Sequence, residues 1–136
     1  MVADTAGSLS DCVTGLARTI LVVDDEEHIR MCVAEFLHDG GYRVLEAANV
    51  AEAKDLLQRR RVDLVFSDIN MPNSETGFAL EQWVRLHYPS VKVLLTSGYP
   101  QNAKDTAGLL EPIIMKPYRC AALQSRIDHV LCNVKA

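Results

Sequence analysis

Asp24-Asp25, Asp68, Ser97 and Lys116 are far apart in the chain, but together they would make a reactive set. Three carboxylates, a hydroxyl and an ammonium group form a hard-oxygen environment, suited to Mg2+ or Mn2+ and poorly suited to zinc, which prefers Cys and His. Repulsion among Asp24, Asp25 and Asp68 would be costly unless a divalent cation sat among them. Such a site can neutralise and orient a phosphoryl group, with Lys116 pairing to one oxygen and Ser97 donating a hydrogen bond to another. Asp68 is then the nucleophile, forming an aspartyl phosphate. Nothing in the set supplies a strong base for turning over a separate substrate. Singly, each residue has a plainer reading: an Asp after a strand forms a turn or caps a helix, Ser97-Gly98 is a loop signal, and Lys116 before Pro117 is a surface lysine. Only the elements that position them can decide.

Those elements alternate from Thr19 onward. Ile20-Leu21-Val22-Val23 reads as a strand buried on both faces and stops at Asp24-Asp25. Ile29, Val33, Phe36 and Leu37 then mark one face of a helix ended by Gly40-Gly41. Arg43-Val44-Leu45-Glu46-Ala47 is a weaker strand. Asn49 with Glu52 has the spacing of a capping box, opening a helix with Val50, Ala53, Leu56 and Leu57 inward and Arg59-Arg60-Arg61 at its cation-favouring end. Val62 to Phe66 is a third strand, running to Asp68. A loop through Met71-Pro72 to Gly77 leads to a helix carrying Leu80, Trp83, Val84 and His87, stopped near Pro89. Val91 to Leu95 is a fourth strand, ending at Thr96-Ser97-Gly98. A short helix fits around Ala103–Leu110, and Ile113-Ile114-Met115 is a brief fifth strand before Lys116-Pro117. A last helix carries Leu123, Ile127, Val130, Leu131 and Val134.

Strands alternating with helices imply right-handed βαβ crossovers, hence an α/β fold: a three-layer sandwich with a five-stranded parallel sheet and helices on both faces. Ligand sites in open α/β sheets lie at the carboxyl ends of the strands. That rule collects Asp24, Asp25, Asp68, Ser97 and Lys116 on one rim.

A length of 136 residues suits one domain, on a prior of about 100–200 residues each. Residues 1–18 read as a flexible leader, and 19–134 as the domain. The net charge of −4 argues against a chain-wide footprint for nucleic acid or an anionic membrane. No run approaches the roughly 20 apolar residues of a membrane span, so a cytoplasmic location is expected. Cys12, Cys32, Cys120 and Cys132 lack the close spacing of zinc or redox motifs, so all four are expected as free thiols.

At its four strand ends the chain resembles the receiver domains of bacterial two-component response regulators, of flavodoxin-like topology, over about Arg18 to Leu131. Val22-Val23-Asp24-Asp25-Glu26 is similar to the family's acidic metal-binding pair, and Ser67-Asp68-Ile69-Asn70-Met71-Pro72 to its phosphoacceptor segment. Leu95-Thr96-Ser97-Gly98 is similar to the switch-hydroxyl segment, and Met115-Lys116-Pro117-Tyr118 to the lysine segment. The resemblance implies phosphorylation of Asp68 by a sensor histidine kinase or histidine phosphotransfer protein, without catalysis on other substrates. It implies Mg2+, for which Mn2+ could substitute, held by Asp25, Asp68 and the backbone carbonyl of Asn70, with Asp24 assisting. Ser97 and Lys116 would bind phosphoryl oxygens, Ser97 as the switch. A weak or phosphorylation-dependent dimer is compatible with the family.

The chain departs from the pattern in three places. The loop from Asp68 to Gly77 is one residue longer than usual and lacks the common Asp-Gly ending. The position of the family's rotating aromatic, three residues before the lysine, is Ile113. Tyr99, within a Thr-Ser-Gly-Tyr sequence found in a subset of receivers, is the candidate replacement, expected over the pocket where it would limit attack by water. The span from Ser97 to Lys116 is short, so familiar dimer geometry is not assumed. The expected function is signalling by conformational switch or onward phosphotransfer without an output domain of its own. Alternatives are a receiver from a hybrid histidine kinase and a degenerate receiver acting as an interaction module. An aspartate-nucleophile phosphohydrolase would need an acid two residues after Asp68, where Asn70 stands.

Overall fold

The computed structural model describes residues 17–132 except 73, 100 and 102; residues 1–16 of the leader expected over 1–18, Cys12 among them, and Val134 lie outside the described residues. Strands β1 (Thr19–Val23), β2 (Arg43–Ala47), β3 (Leu64–Asp68), β4 (Lys92–Ser97) and β5 (Ile114–Met115) alternate with helices α1 (Glu27–Asp39), α2 (Val50–Arg59), α3 (Gly77–His87), α4 (Ala103–Thr106) and α5 (Cys120–Cys132). All ladders are parallel, in the order β2-β1-β3-β4-β5.

The central strands are apolar over Ile20–Val23 and Leu64–Phe66 because successive side chains point to opposite faces and both faces are covered. On one side Ile20, Val22, Leu64 and Phe66 pack with Val33 and Leu37 of α1 and Leu123 and Ile127 of α5. On the other, Leu21, Val23 and Val65 meet Val50, Ala53 and Leu57 of α2 and Leu80 and Val84 of α3. The sheet is therefore the middle of three layers, as its sequence pattern predicts.

Local signals explain the element ends. Asn49 Oδ1 accepts from Glu52 N–H at 2.8 Å, while Glu52 Oε1 accepts from Ala48 N–H at 2.8 Å, so the capping box closes one residue further back than the ideal pattern. Gly41, at φ +104°, occupies the left-handed region that lets the chain leave α1 for β2. Two side chains placed inward by periodicity are not buried: Phe36 is 37% exposed, and His87 is exposed and stacks against Trp83. Each lies at the edge of its apolar stripe, where Ala34 and Val84 take the core positions.

Cys32 and Cys120 are free, but Cys132 is disulfide-bonded, against the expectation of free thiols throughout. Sequence spacing recognises ligand pairs delivered by one loop; it is blind to cysteines brought together by the fold. No described helix is long and apolar enough to cross a membrane.

Candidate functional site

Parallel pairing brings Asp24, just after β1, beside Asp68 at the end of β3, and the register Val23↔Ser67 sets their level. Carboxylate oxygens of Asp24, Asp25 and Asp68 lie within 4.8 Å of one another. Asp24 and Asp68 are 5% and 7% exposed, and Asp25 is exposed. Asp24 is held by its own turn: Oδ1 accepts from Glu26 N–H at 2.9 Å, its N–H donates to the Ala47 carbonyl, and Arg30 Nη1 donates to its carbonyl at 3.0 Å.

Both oxygens of Asp68 are engaged. Oδ2 accepts from Lys116 Nζ at 2.9 Å, and Oδ1 accepts from the Asn70 N–H at 3.2 Å. Lys116 reaches across from the end of β5, where its own N–H donates to the Ser97 carbonyl at 2.8 Å. The four segments singled out in the sequence therefore converge on one rim.

Burial pushes the Asp24 carboxyl above the ordinary range; the neighbouring charges of Asp68 and Asp25 add to this, while the Glu26 N–H and Lys116 oppose it. For Lys116, burial acts downward, but the hydrogen bond and charge of Asp68, with Asp24 and Glu26, move the ammonium above its ordinary value. Tyr118 packs edge-on against Phe66 at 5.7 Å, and burial raises its hydroxyl strongly, with Asp24 contributing. Hard-oxygen donors whose mutual repulsion is only partly relieved by one ammonium fit a divalent cation such as Mg2+.

Ser97 is buried at the end of β4, but its hydroxyl is turned into its own loop. It donates to the Tyr99 carbonyl at 3.0 Å and accepts from the Tyr99 N–H at 3.1 Å and Gln101 Nε2 at 2.8 Å. Gln101 also donates to the Tyr99 carbonyl at 3.0 Å. No sequence signal marked Gln101, because a side-chain clasp on a loop has no period or motif. Tyr99, the expected replacement aromatic, is 68% exposed. Ile113 is half-buried and holds no aromatic group at that position.

The loop after Asp68 is pinned at several points. Ser74 Oγ accepts from the Val50 N–H at 3.1 Å, Lys54 pairs with Glu75 at 3.4 Å, and Thr76 Oγ1 caps α3 through the Ala79 N–H at 3.2 Å. Gly77 is the residue sequence reasoning undervalued. A Cβ there would sit 2.5 Å from the Asp68 carbonyl oxygen and 2.9 Å from Ile69 Cα. Only glycine lets α3 start this close to the strand that carries the candidate nucleophile.

The chain is similar to known proteins in sequence and in fold. A family model described as a response regulator receiver domain matches residues 20–128. The sensor kinase CckA of Brucella abortus (strain 2308) is 37% identical over 87 residues, 62% of this chain but only 9% of that protein's length. Among solved structures, the chemotaxis response regulator CheY4 of Vibrio cholerae is 31% identical with a TM-score of 0.76, covering 85% of this chain and 100% of that one. The response regulator TrrA of Thermotoga maritima, solved in complex with Mg2+ and BeF, is 28% identical with a TM-score of 0.75, covering 84% of this chain and 99% of that one.

Proposed function

The chain belongs to the response regulator receiver domain family, a family of signalling domains, and on that premise we propose that Asp68 accepts a phosphoryl group. The donor is a sensor histidine kinase or histidine phosphotransfer protein, met in the cytoplasm. The observation that carries the reading is the meeting of Asp68 with Lys116 at 2.9 Å and with Asp24 and Asp25 within 4.8 Å.

An Asp68 carboxylate oxygen attacks the phosphorus; the new P–O bond forms as the P–N bond to the donor histidine breaks, and the departing imidazole nitrogen takes a proton. Mg2+ would be held by Asp25, Asp68 and the Asn70 carbonyl with Asp24 assisting, and would neutralise phosphoryl charge; Mn2+ has the same donor preference. Lys116 Nζ, already on Asp68, is placed to follow charge onto the phosphoryl oxygens. Ser97 must give up its bond to the Tyr99 carbonyl before its hydroxyl can donate to a phosphoryl oxygen. The switch is thus a transfer of one hydrogen bond out of the loop that Gln101 holds shut.

The context is either a separate regulator or a receiver within a longer protein, and similarity to a sensor kinase many times the chain's length favours the second. The test is incubation with Mg2+ and a small-molecule phosphodonor, read on a phosphate-affinity gel. The parent is expected to give a shifted species that Asp68→Ala does not; no shift in the parent, or an equal shift in the variant, overturns the assignment. Phosphotransfer against purified kinases identifies the donor.

A further inference from the structure

Beside the acidic rim, between α1 and α5, lies a cavity of about 660 Å³ that meets the phosphoacceptor site at Lys116. Its lining joins His28, Cys32 and Val33 of α1 to Lys116 and Tyr118 in the segment after β5 and to Cys120, the first residue of α5. The two free cysteines among the described residues therefore face one space, with Cys32 exposed and Cys120 half-buried. Their closeness is felt electrostatically: burial pushes the Cys120 thiol up, and the neighbouring Cys32 adds to that. The two residues come from elements far apart in sequence, so their meeting is a product of the fold.

We propose that Cys32 and Cys120 form a peroxide-responsive dithiol that closes into a disulfide between α1 and α5 and thereby slows phosphoryl acceptance at Asp68. Cys32, the accessible partner, attacks hydrogen peroxide as its thiolate; the O–O bond breaks, Cys32 becomes a sulfenic acid, and the departing hydroxide takes a proton to leave as water. The Cys120 sulfur then attacks the sulfenic sulfur, the S–S bond forms, and a second water departs with the Cys120 proton. In sum two thiols lose two electrons and two protons, and one peroxide becomes two waters.

The coupling runs through a short segment. Cys120 follows Lys116 by four residues, and Lys116, Pro117 and Tyr118 line the same cavity. Drawing Cys120 toward α1 moves the segment whose Nζ contacts Asp68 at 2.9 Å, and that contact is sensitive to sub-ångström displacement. This consequence rests on the phosphoacceptor reading; the disulfide itself does not.

The experiment treats the full chain with hydrogen peroxide, blocks remaining thiols and maps tryptic peptides without reduction. The expected product links the peptide of residues 31–43 to that of residues 120–126, is reversed by dithiothreitol, and is absent in Cys32→Ser and Cys120→Ser. Labelling by a small-molecule phosphodonor should slow on the order of tenfold in the oxidised parent and stay unchanged in peroxide-treated Cys32→Ser. Oxidation of either cysteine without the linked peptide overturns the proposal, and a linked peptide with unaltered labelling overturns the coupling. If the reduced parent takes no label at all, the phosphoacceptor reading fails, while the linked peptide still decides the dithiol.

Discussion

Replacing Asp24 by Asn should make the metal-free protein more stable, although the residue lies in the centre of the candidate site. Three carboxylates within 4.8 Å repel by about 1 kcal/mol per pair at the dielectric constant of water and by about 3.5 kcal/mol at an effective value of about 20. The Asp24–Asp68 pair is buried and lies nearer the larger figure; the pairs with exposed Asp25 lie nearer the smaller. Lys116 offsets a large part, because its ammonium interacts with both buried acids. A net gain of about 1–2 kcal/mol follows. Asn keeps an oxygen to accept the Glu26 N–H at 2.9 Å, so the turn is not lost with the charge.

In a domain of this size that gain raises Tm by roughly 3–10 °C, measured by thermal unfolding in EDTA at low salt. The sign also fixes the pH dependence. The folded Asp24 carboxyl titrates above its ordinary value of 3.8, so the native state holds the proton more tightly than the unfolded chain. The parent is therefore relatively favoured below the ordinary carboxyl range and loses that advantage as pH rises through the folded value. The gap between variant and parent should close on acidification and shrink in high salt. Mg2+ should reverse the order of melting by stabilising the parent more than the variant. A variant that melts at or below the parent in EDTA at neutral pH would refute the repulsion argument.

Gly77→Ala should lower the urea midpoint by about 1–3 kcal/mol equivalent, because the added Cβ meets the backbone of Asp68 and Ile69, which cannot swing aside; an unchanged midpoint would show that α3 relaxes freely. Asn49→Ala should cost about 1 kcal/mol in the same assay with an unaltered denaturant slope, since it removes the cap on the Glu52 N–H. Tyr99→Ala should leave the dephosphorylation half-life within about twofold of the parent, because a ring 68% exposed shields little; a half-life shortened tenfold would mean that the ring closes over the pocket after phosphorylation.

What the sequence made legible was whatever a strand end or a helical stripe could encode. Val22-Val23 followed by Asp24-Asp25, and Phe66 leading to Asp68, place their acids by the period of a buried strand and the rule that such strands deliver ligands at their carboxyl ends. The fold followed from the same alternation. What stayed hidden depends on contacts without period: the Gln101 clasp on Ser97, the close approach at Gly77, and the disulfide at Cys132. Tyr99 illustrates the limit from the other side. Adjacency to Ser97-Gly98 located its backbone, but the loop's own hydrogen bonds, not its sequence neighbours, decide how much of the ring solvent sees.

The Ser97 loop also constrains how the proposed signal leaves the site. Its hydroxyl has one proton, and that proton is committed to the Tyr99 carbonyl. A phosphoryl oxygen arriving at Asp68 can claim it only if the carbonyl is released, and the same carbonyl also accepts from Gln101 at 3.0 Å. Two donors holding one acceptor make the resting loop a state with a defined cost of opening. Lys116 faces the opposite situation, since it already contacts Asp68 and needs only a small shift to meet the new charge. The asymmetry assigns the larger structural change to the β4 side of the pocket, where Thr96 Oγ1 donates to the Ile114 carbonyl at 2.8 Å and ties that strand to β5. On the proposed reading, movement of the Ser97 loop is transmitted toward β5 and its flanking segments, rather than toward the central strands packed on both faces.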